Sequence, residues 1–171
     1  YVAIYSTFLQ RAYDQILVDV CRNGLPVTFL IDRAGLVGED GETHQGIFDL
    51  SYLSSAPGMT VMAPKNRQEL EDMLRFALAL GRPAAIRYPR GAAYEGLEDH
   101  RAPLELGKPE MICEEGGVLL YAVGSMVKTA EVVRRLLAAR GVESSIANAR
   151  FVRPLDEDFL REAPARYRMI V

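Results

Sequence analysis

The 171 residues are 49% hydrophobic and 25% charged, a composition that packs a core and excludes a disordered chain. The formal net charge of −3 leaves no basic footprint for nucleic acid or for an anionic membrane. No apolar run nears the roughly 20 residues that a membrane span needs, and no charged-then-apolar secretory signal opens the chain.

Val2 to Tyr5 is short, apolar and β-branched, and predicts a strand; Ser6 and Thr7 follow it as helix N-caps. From Phe8 to Arg22 the apolar positions Leu9, Ala12, Tyr13, Ile16, Leu17, Val20 and Cys21 recur at helical spacing, and Asn23-Gly24 closes the segment. A buried strand through Val27 to Ile31 leads into a glycine-rich loop, Asp32 to Gly46. Phe48 to Leu53 predicts a short helix, and Pro57-Gly58 a turn. Thr60 to Ala63 is the next strand. Asn66 then offers an N-cap for a helix over Arg67 to Leu80, with Leu70, Met73, Leu74, Ala77 and Leu80 on one face and Gly81 at its end. Ala84 to Tyr88 is another strand. This alternation predicts an α/β fold with a parallel sheet.

Between Pro89 and Gly107 the composition shifts to Gly, Pro and scattered charge, which places a domain boundary near residue 100: residues 1–100 form one domain and 101–171 begin another. The alternation then restarts. Val118 to Val123 predicts a strand, Val127 to Arg140 an amphipathic helix with Val132, Val133, Leu136 and Leu137 inward, and Ser144 to Phe151 a strand. Pro154 to Glu162 predicts a short helix, and Tyr167 to Val171 a last strand. The chain opens inside one apparent strand and closes inside another, without an initiator Met, and so reads as a piece of a longer protein. Cys21 and Cys113 have no metal-ligand spacing and read as reduced thiols.

Ligands of open α/β sheets bind where strands give way to loops at their carboxyl ends. Tyr5, the loop bearing Arg33, Asp40 and His44, and Arg90 all follow strands in this way. Two guanidiniums with a phenol suit a phosphate or carboxylate, and an imidazole beside carboxylates suits proton transfer near neutral pH. Each residue also has an ordinary reading. An isolated loop histidine is commonly just exposed, Arg33 and Arg90 can be structural partners of Asp32 or another carboxylate, and Phe8 at a helical position is by default core. Gly124-Ser125 could receive a phosphate at a helix start, but an ordinary tight turn explains it as well. His100 reads as solvated surface.

Two long strings narrow these alternatives. Tyr5-Ser6-Thr7-Phe8-Leu9-Gln10-Arg11-Ala12-Tyr13-Asp14-Gln15, and Asp32 to Gly38 continuing through Thr43-His44-Gln45-Gly46 to Leu53, closely resemble the 1-deoxy-D-xylulose-5-phosphate synthases, a thiamine diphosphate-dependent, transketolase-like family. Arg87-Tyr88-Pro89-Arg90-Gly91 and Arg150 to Asp156 fit the same family. The resemblance runs the whole chain. It implies a transketolase-like pyrimidine-binding domain followed by the start of a transketolase C-terminal domain.

The activity implied is a transferase reaction. Pyruvate is decarboxylated and its two-carbon unit is added to glyceraldehyde 3-phosphate, giving 1-deoxy-D-xylulose 5-phosphate for isoprenoid, thiamine and pyridoxal biosynthesis. The implied cofactors are thiamine diphosphate and Mg²⁺, the implied assembly is a homodimer, and the implied compartment is the bacterial cytoplasm. Carried over by position, Phe8 stacks on the aminopyrimidine, Tyr5, Arg33 and Arg90 hold the acceptor's phosphate, and Asp40 and His44 act at the reacting carbons. The resemblance puts the catalytic glutamate and the diphosphate and Mg²⁺ motif outside this chain, so no metal ligand is expected in it and the isolated segment should be inactive. Transketolases and 2-oxoacid dehydrogenase E1 components share the Thr-His-Gln loop and are the alternative, as is a truncated, non-catalytic domain.

Overall fold

The structure is a computed structural model describing residues 1–171. Nine strands, β1 (Val2–Tyr5), β2 (Thr28–Asp32), β3 (Thr60–Met62), β4 (Ala84–Arg87), β5 (Glu110–Cys113), β6 (Val118–Ala122), β7 (Ser144–Asn148), β8 (Phe151–Arg153) and β9 (Met169–Ile170), form two sheets. The first has the order β1-β2-β4-β3-β8 and is parallel except for β8. The second has the order β5-β7-β6-β9, with β5 antiparallel at one edge. The expected α/β fold with mainly parallel strands is what the chain adopts.

The β-branched and small residues Ile31, Val61, Ala84, Ala85 and Ile86 are buried in the middle of the first sheet, which helices cover. The helix Arg67–Leu80 forms as its signals dictate. Asn66 accepts a 2.9 Å hydrogen bond from the Glu69 N–H, Gly81 ends the helix at φ 65°, and Met73 and Ala77 are among its buried residues.

The helical segment after β1 departs from the expectation. Tyr5, in extended conformation, occupies the N-cap position, and Ser6 is already the first helical residue, fully buried and without a hydrogen-bond partner for its hydroxyl. Residues 6–21 then pass through α, 3₁₀, α and finally π turns, the last over Ile16–Cys21. β-Branched Ile16, Val18 and Val20 sit in that wide turn. The buried apolar positions are Leu9, Ile16 and Cys21.

Further readings are corrected. Ser144 to Phe151 is not one strand: β7 ends at Asn148, the chain crosses over at Ala149 and Arg150, and β8 pairs antiparallel with β3 of the first sheet. β5, which the sequence does not announce, begins at Glu110, a charged residue only 4% exposed because Lys65 and Arg150 neutralise it. The helix Met126–Ala138 buries Val127 and Ala130 and packs Val133 inward, whereas Val132 and Leu136 point to solvent. The last helix runs Glu157–Arg166, beginning after the Asp156 side chain caps the Phe159 N–H.

The two sheets are joined through a buried ionic cluster. Lys65 Nζ lies 2.7 Å from Glu110 and 3.1 Å from Glu69, Arg150 Nε donates to Glu69 at 2.7 Å, and Asn148 donates to both carboxylates. Arg150 also donates to the carbonyls of Ala102 and Pro103, fastening the connecting segment. The pair of Asp72 with Arg101, 2.8 Å apart, ties that segment to the helix Arg67–Leu80 as well.

Candidate functional site

Because β1, β2 and β4 are parallel neighbours, their carboxyl ends lie side by side: Tyr5 is in register with Asp32, and Ile31 with Arg87. The ladder continues past the strands through Tyr88 N to Ile31 O at 3.0 Å and Ala34 N to Tyr88 O at 3.0 Å, which brings the Tyr88-Pro89-Arg90 turn against the glycine loop. Behind the edge, Arg87 is paired at 2.7 Å with Asp49, which is fully buried at the start of the helix Asp49–Ser55. The edge is therefore rigid where the loop departs from it.

The loop closes on itself. Gly35 and Gly46 exchange backbone hydrogen bonds of 2.7 and 2.8 Å. The Gln45 amide accepts from Val37 N and donates to the carbonyls of Val37 and Gly41, pinning both ends of the Gly38 to Asp40 span. Gly46 is required by close approach: a Cβ there would overlap the Arg33 carbonyl and lie 2.7 Å from Ser6 Cβ. Arg33 has φ 56°, a left-handed conformation unusual for a non-glycine residue, which turns its side chain over the Tyr5 ring at 3.9 Å.

The six residues singled out from the sequence meet in one place. The His44 ring stands 5.9 Å from Tyr5 and 5.3 Å from Phe8, and Tyr5 and Phe8 stack at 5.4 Å. Thr43 Oγ1 and His44 Nδ1 share a 3.0 Å hydrogen bond, leaving the other ring nitrogen available to a ligand. Asp40 bridges the two guanidiniums, taking Arg33 Nε at 2.7 Å and Arg90 Nε at 3.3 Å. Arg33 is also paired with Asp32, and Arg90 with Glu39 at 2.5 Å. The reading of both arginines as partners of carboxylates thus describes their contacts in this chain.

Electrostatics follow these contacts. Desolvation pulls on the Arg33 guanidinium, but the hydrogen bond to Asp40 and the charge of Asp32 outweigh it and hold its pKa above the ordinary value. Burial, with the Asp32 charge behind it, pushes the Tyr88 phenol up, and burial beside Asp49 does the same to Tyr52. Both phenols are neutral supports, and Tyr52 donates to the Ser6 carbonyl under the site.

Phe8 remains 38% exposed at this edge, a surface suited to a flat heteroaromatic ring, although Tyr5 and the Arg11 guanidinium already flank it. The Thr7 hydroxyl beside it is buried without a partner. No group of three or more His, Cys, Asp or Glu side chains is arranged to hold a metal ion. Both cysteines are free, Cys21 buried and Cys113 half-buried, and burial raises each thiol's pKa. Sequence reasoning missed Glu39, the Gln45 clamp and the Asp49–Arg87 pair. The adjacency of Gln45 to His44 was the one available signal.

Residues 1–95 match the family model for the transketolase pyrimidine-binding domain, and residues 107–171 that for the transketolase C-terminal domain. The chain is 55% identical over 170 residues to a 1-deoxy-D-xylulose-5-phosphate synthase of Lachnoclostridium phytofermentans, covering 99% of this chain and 27% of that protein. It is 53% identical over 171 residues to the same enzyme of Syntrophus aciditrophicus, covering 99% of this chain and 26% of that protein. The chain thus spans about a quarter of the length of these curated relatives. Among solved structures, a split-gene transketolase described as an inactive β4 tetramer superposes with a TM-score of 0.88 at 24% identity, covering 98% of this chain and 54% of that one.

Proposed function

The chain belongs to the transketolase family, and from that premise we propose that it is an internal part of a 1-deoxy-D-xylulose-5-phosphate synthase. That enzyme decarboxylates pyruvate and joins the two-carbon unit to glyceraldehyde 3-phosphate. The observation that carries the reading is the convergence of Tyr5, Phe8, Arg33, Asp40, His44 and Arg90 at one sheet edge, in a chain 51–55% identical to synthases of this name. That identity is about twice the one to the transketolase structure, which favours the synthase over a transketolase or dehydrogenase component.

We assign residues 1–100 to the pyrimidine-binding domain and residues 101–171 to the start of the C-terminal domain. Thiamine diphosphate, when bound, would supply a carbon nucleophile for pyruvate's carbonyl and the electron sink that loss of CO₂ requires. Phe8 offers its exposed ring to the aminopyrimidine, while the diphosphate and Mg²⁺ ligands belong to other parts of the protein. Arg33 and Arg90, with the Tyr5 phenol, hold the acceptor's phosphate, since pyruvate has none and a guanidinium fork matches phosphate oxygens. His44, fixed through Nδ1 by Thr43, delivers a proton to the acceptor's carbonyl oxygen as the new C–C bond forms. Asp40 sets the two guanidiniums at their spacing and acts beside the reacting carbons. A homodimer in the bacterial cytoplasm, feeding isoprenoid, thiamine and pyridoxal synthesis, completes the proposal; the sources of the relatives support its bacterial part alone.

Steady-state assay of the full-length protein with pyruvate and glyceraldehyde 3-phosphate tests the reading. Formation of 1-deoxy-D-xylulose 5-phosphate supports it, and absence of product with cofactor bound refutes it. A preference for ketose phosphate donors, or a need for a lipoyl partner, would move the protein to the alternatives. The Arg90→Ala variant should raise the KM for glyceraldehyde 3-phosphate about tenfold or more, the value of a charge-assisted phosphate contact. Loss of pyruvate affinity alone would overturn the phosphate assignment.

A further inference from the structure

We infer that Glu39 is a tethered counter-ion that occupies the Arg90 guanidinium until a phosphate-bearing acceptor displaces it, and so keeps monoanionic carboxylates out of the acceptor subsite. The inference rests on the reading of Arg90 as a phosphate ligand.

The charge count at the edge motivates it. Asp32, Glu39 and Asp40 set three carboxylates against the two guanidiniums of Arg33 and Arg90, a net charge of −1. A phosphate monoester carries about −1.5 to −2 near neutral pH. Added to the cluster as it stands, it would find both guanidiniums already paired and would face like charge. One carboxylate must leave.

The structure distinguishes the three. Asp32 holds both the backbone N–H and the guanidinium of Arg33, and Arg33 is locked over Tyr5. Asp40 is shared by both arginines, with its side chain 18% exposed. Glu39 has a side chain 78% exposed and makes a single ion pair, to Arg90 Nη1. It also sits in the span Gly38 to Asp40, between the points at Val37 and Gly41 that Gln45 pins, so it can swing out without moving His44. Breaking this one exposed ion pair is the cheapest way to free a guanidinium.

Selectivity follows from what competes with Glu39. An untethered carboxylate such as that of pyruvate has the same charge and the same two oxygens, but none of the local concentration that the chain gives Glu39. A phosphate ester has more charge and a third oxygen, and regains in Arg90 more than Glu39 gives up.

The test uses the full-length protein as wild type, Glu39→Gln, Arg90→Ala and the double variant. It measures the KM for glyceraldehyde 3-phosphate and the competitive inhibition by inorganic phosphate and by acetate. Glu39→Gln should lower the KM and the phosphate inhibition constant about two- to fivefold, the size of an exposed ion pair. It should also make acetate a measurable competitor, and all three effects should vanish in the Arg90→Ala background. If Arg90→Ala raises the KM while Glu39→Gln changes nothing, the counter-ion role is refuted and the phosphate clamp stands. If Glu39→Gln acts equally with and without Arg90, the effect is a general field and the displacement is refuted. If Arg90→Ala leaves the KM unmoved, the clamp reading itself fails, and this inference with it.

Discussion

Replacing Lys65 by methionine should loosen the joint between the two sheets far more than any surface change. Lys65 is 2% exposed, and its ammonium lies 2.7 Å from Glu110 and 3.1 Å from Glu69. At an effective dielectric of about 20, each of these contacts is worth about 5–6 kcal/mol of Coulomb attraction, offset by several kcal/mol of desolvation per ion. With Arg150 the cluster holds two cations and two anions, so it is neutral as built. The Lys65→Met variant would keep a buried net charge of −1 with only Arg150 and the Asn148 amide to face it, a cost of about 3–5 kcal/mol. Against a total stability of about 5–15 kcal/mol that is a large fraction, and it corresponds to a fall in Tm of roughly 6–20 °C for a chain of this size. Thermal and urea unfolding followed by circular dichroism would measure it. Adding Glu110→Gln restores neutrality, so the double variant should recover part of the loss. A single variant costing under about 1 kcal/mol, or a double costing the sum of the two singles, would refute the cluster as a coupled unit.

Three further outcomes are expected. His44→Ala should slow carboligation about a hundredfold or more while sparing the first turnover's CO₂ release from pyruvate, since only carboligation needs a proton at the acceptor oxygen; equal losses in both steps, read by product and by CO₂ in a single turnover, would contradict that role. Gly46→Ala should displace the loop from Ser6 and the Arg33 carbonyl, lowering both activity and Tm; a crystal structure with His44 still edge-on to Phe8 would show that the contact yields instead. Acid should release the joint. Burial raises the pKa of Glu110, but its bonds from Lys65 and the Ala102 N–H, with the Arg150 charge, prevail and hold it below its ordinary value of 4.5. The unfolded chain therefore binds that proton first, so this stability is complete above about pH 4.5 and is lost as pH falls through the lower folded value. A pH titration of Tm showing no downward break below that point would count against it.

Alternation of apolar runs with capped, amphipathic segments was enough to specify most strands, the helix Arg67–Leu80 and its Asn66 and Gly81 ends, because those signals are local. The grouping of Tyr5, Arg33, His44 and Arg90 was also legible, since parallel strands must put their carboxyl ends on one edge. What depended on distant partners was not. Glu110 reads as surface until Lys65 and Arg150 come to it from other parts of the chain, and only then can it open a buried strand. Ser144 to Phe151 is one continuous run whose division between two sheets is decided by the free edge of β3, which β8 pairs. Ser6, a good cap by composition, is instead carried into the first turn because β1 enters the helix directly. By itself the sequence determined the fold class, the family and which side chains the edge brings together. Only the tertiary structure decided that the two arginines are already satisfied by three carboxylates, because a charge balance is a property of groups brought together in space.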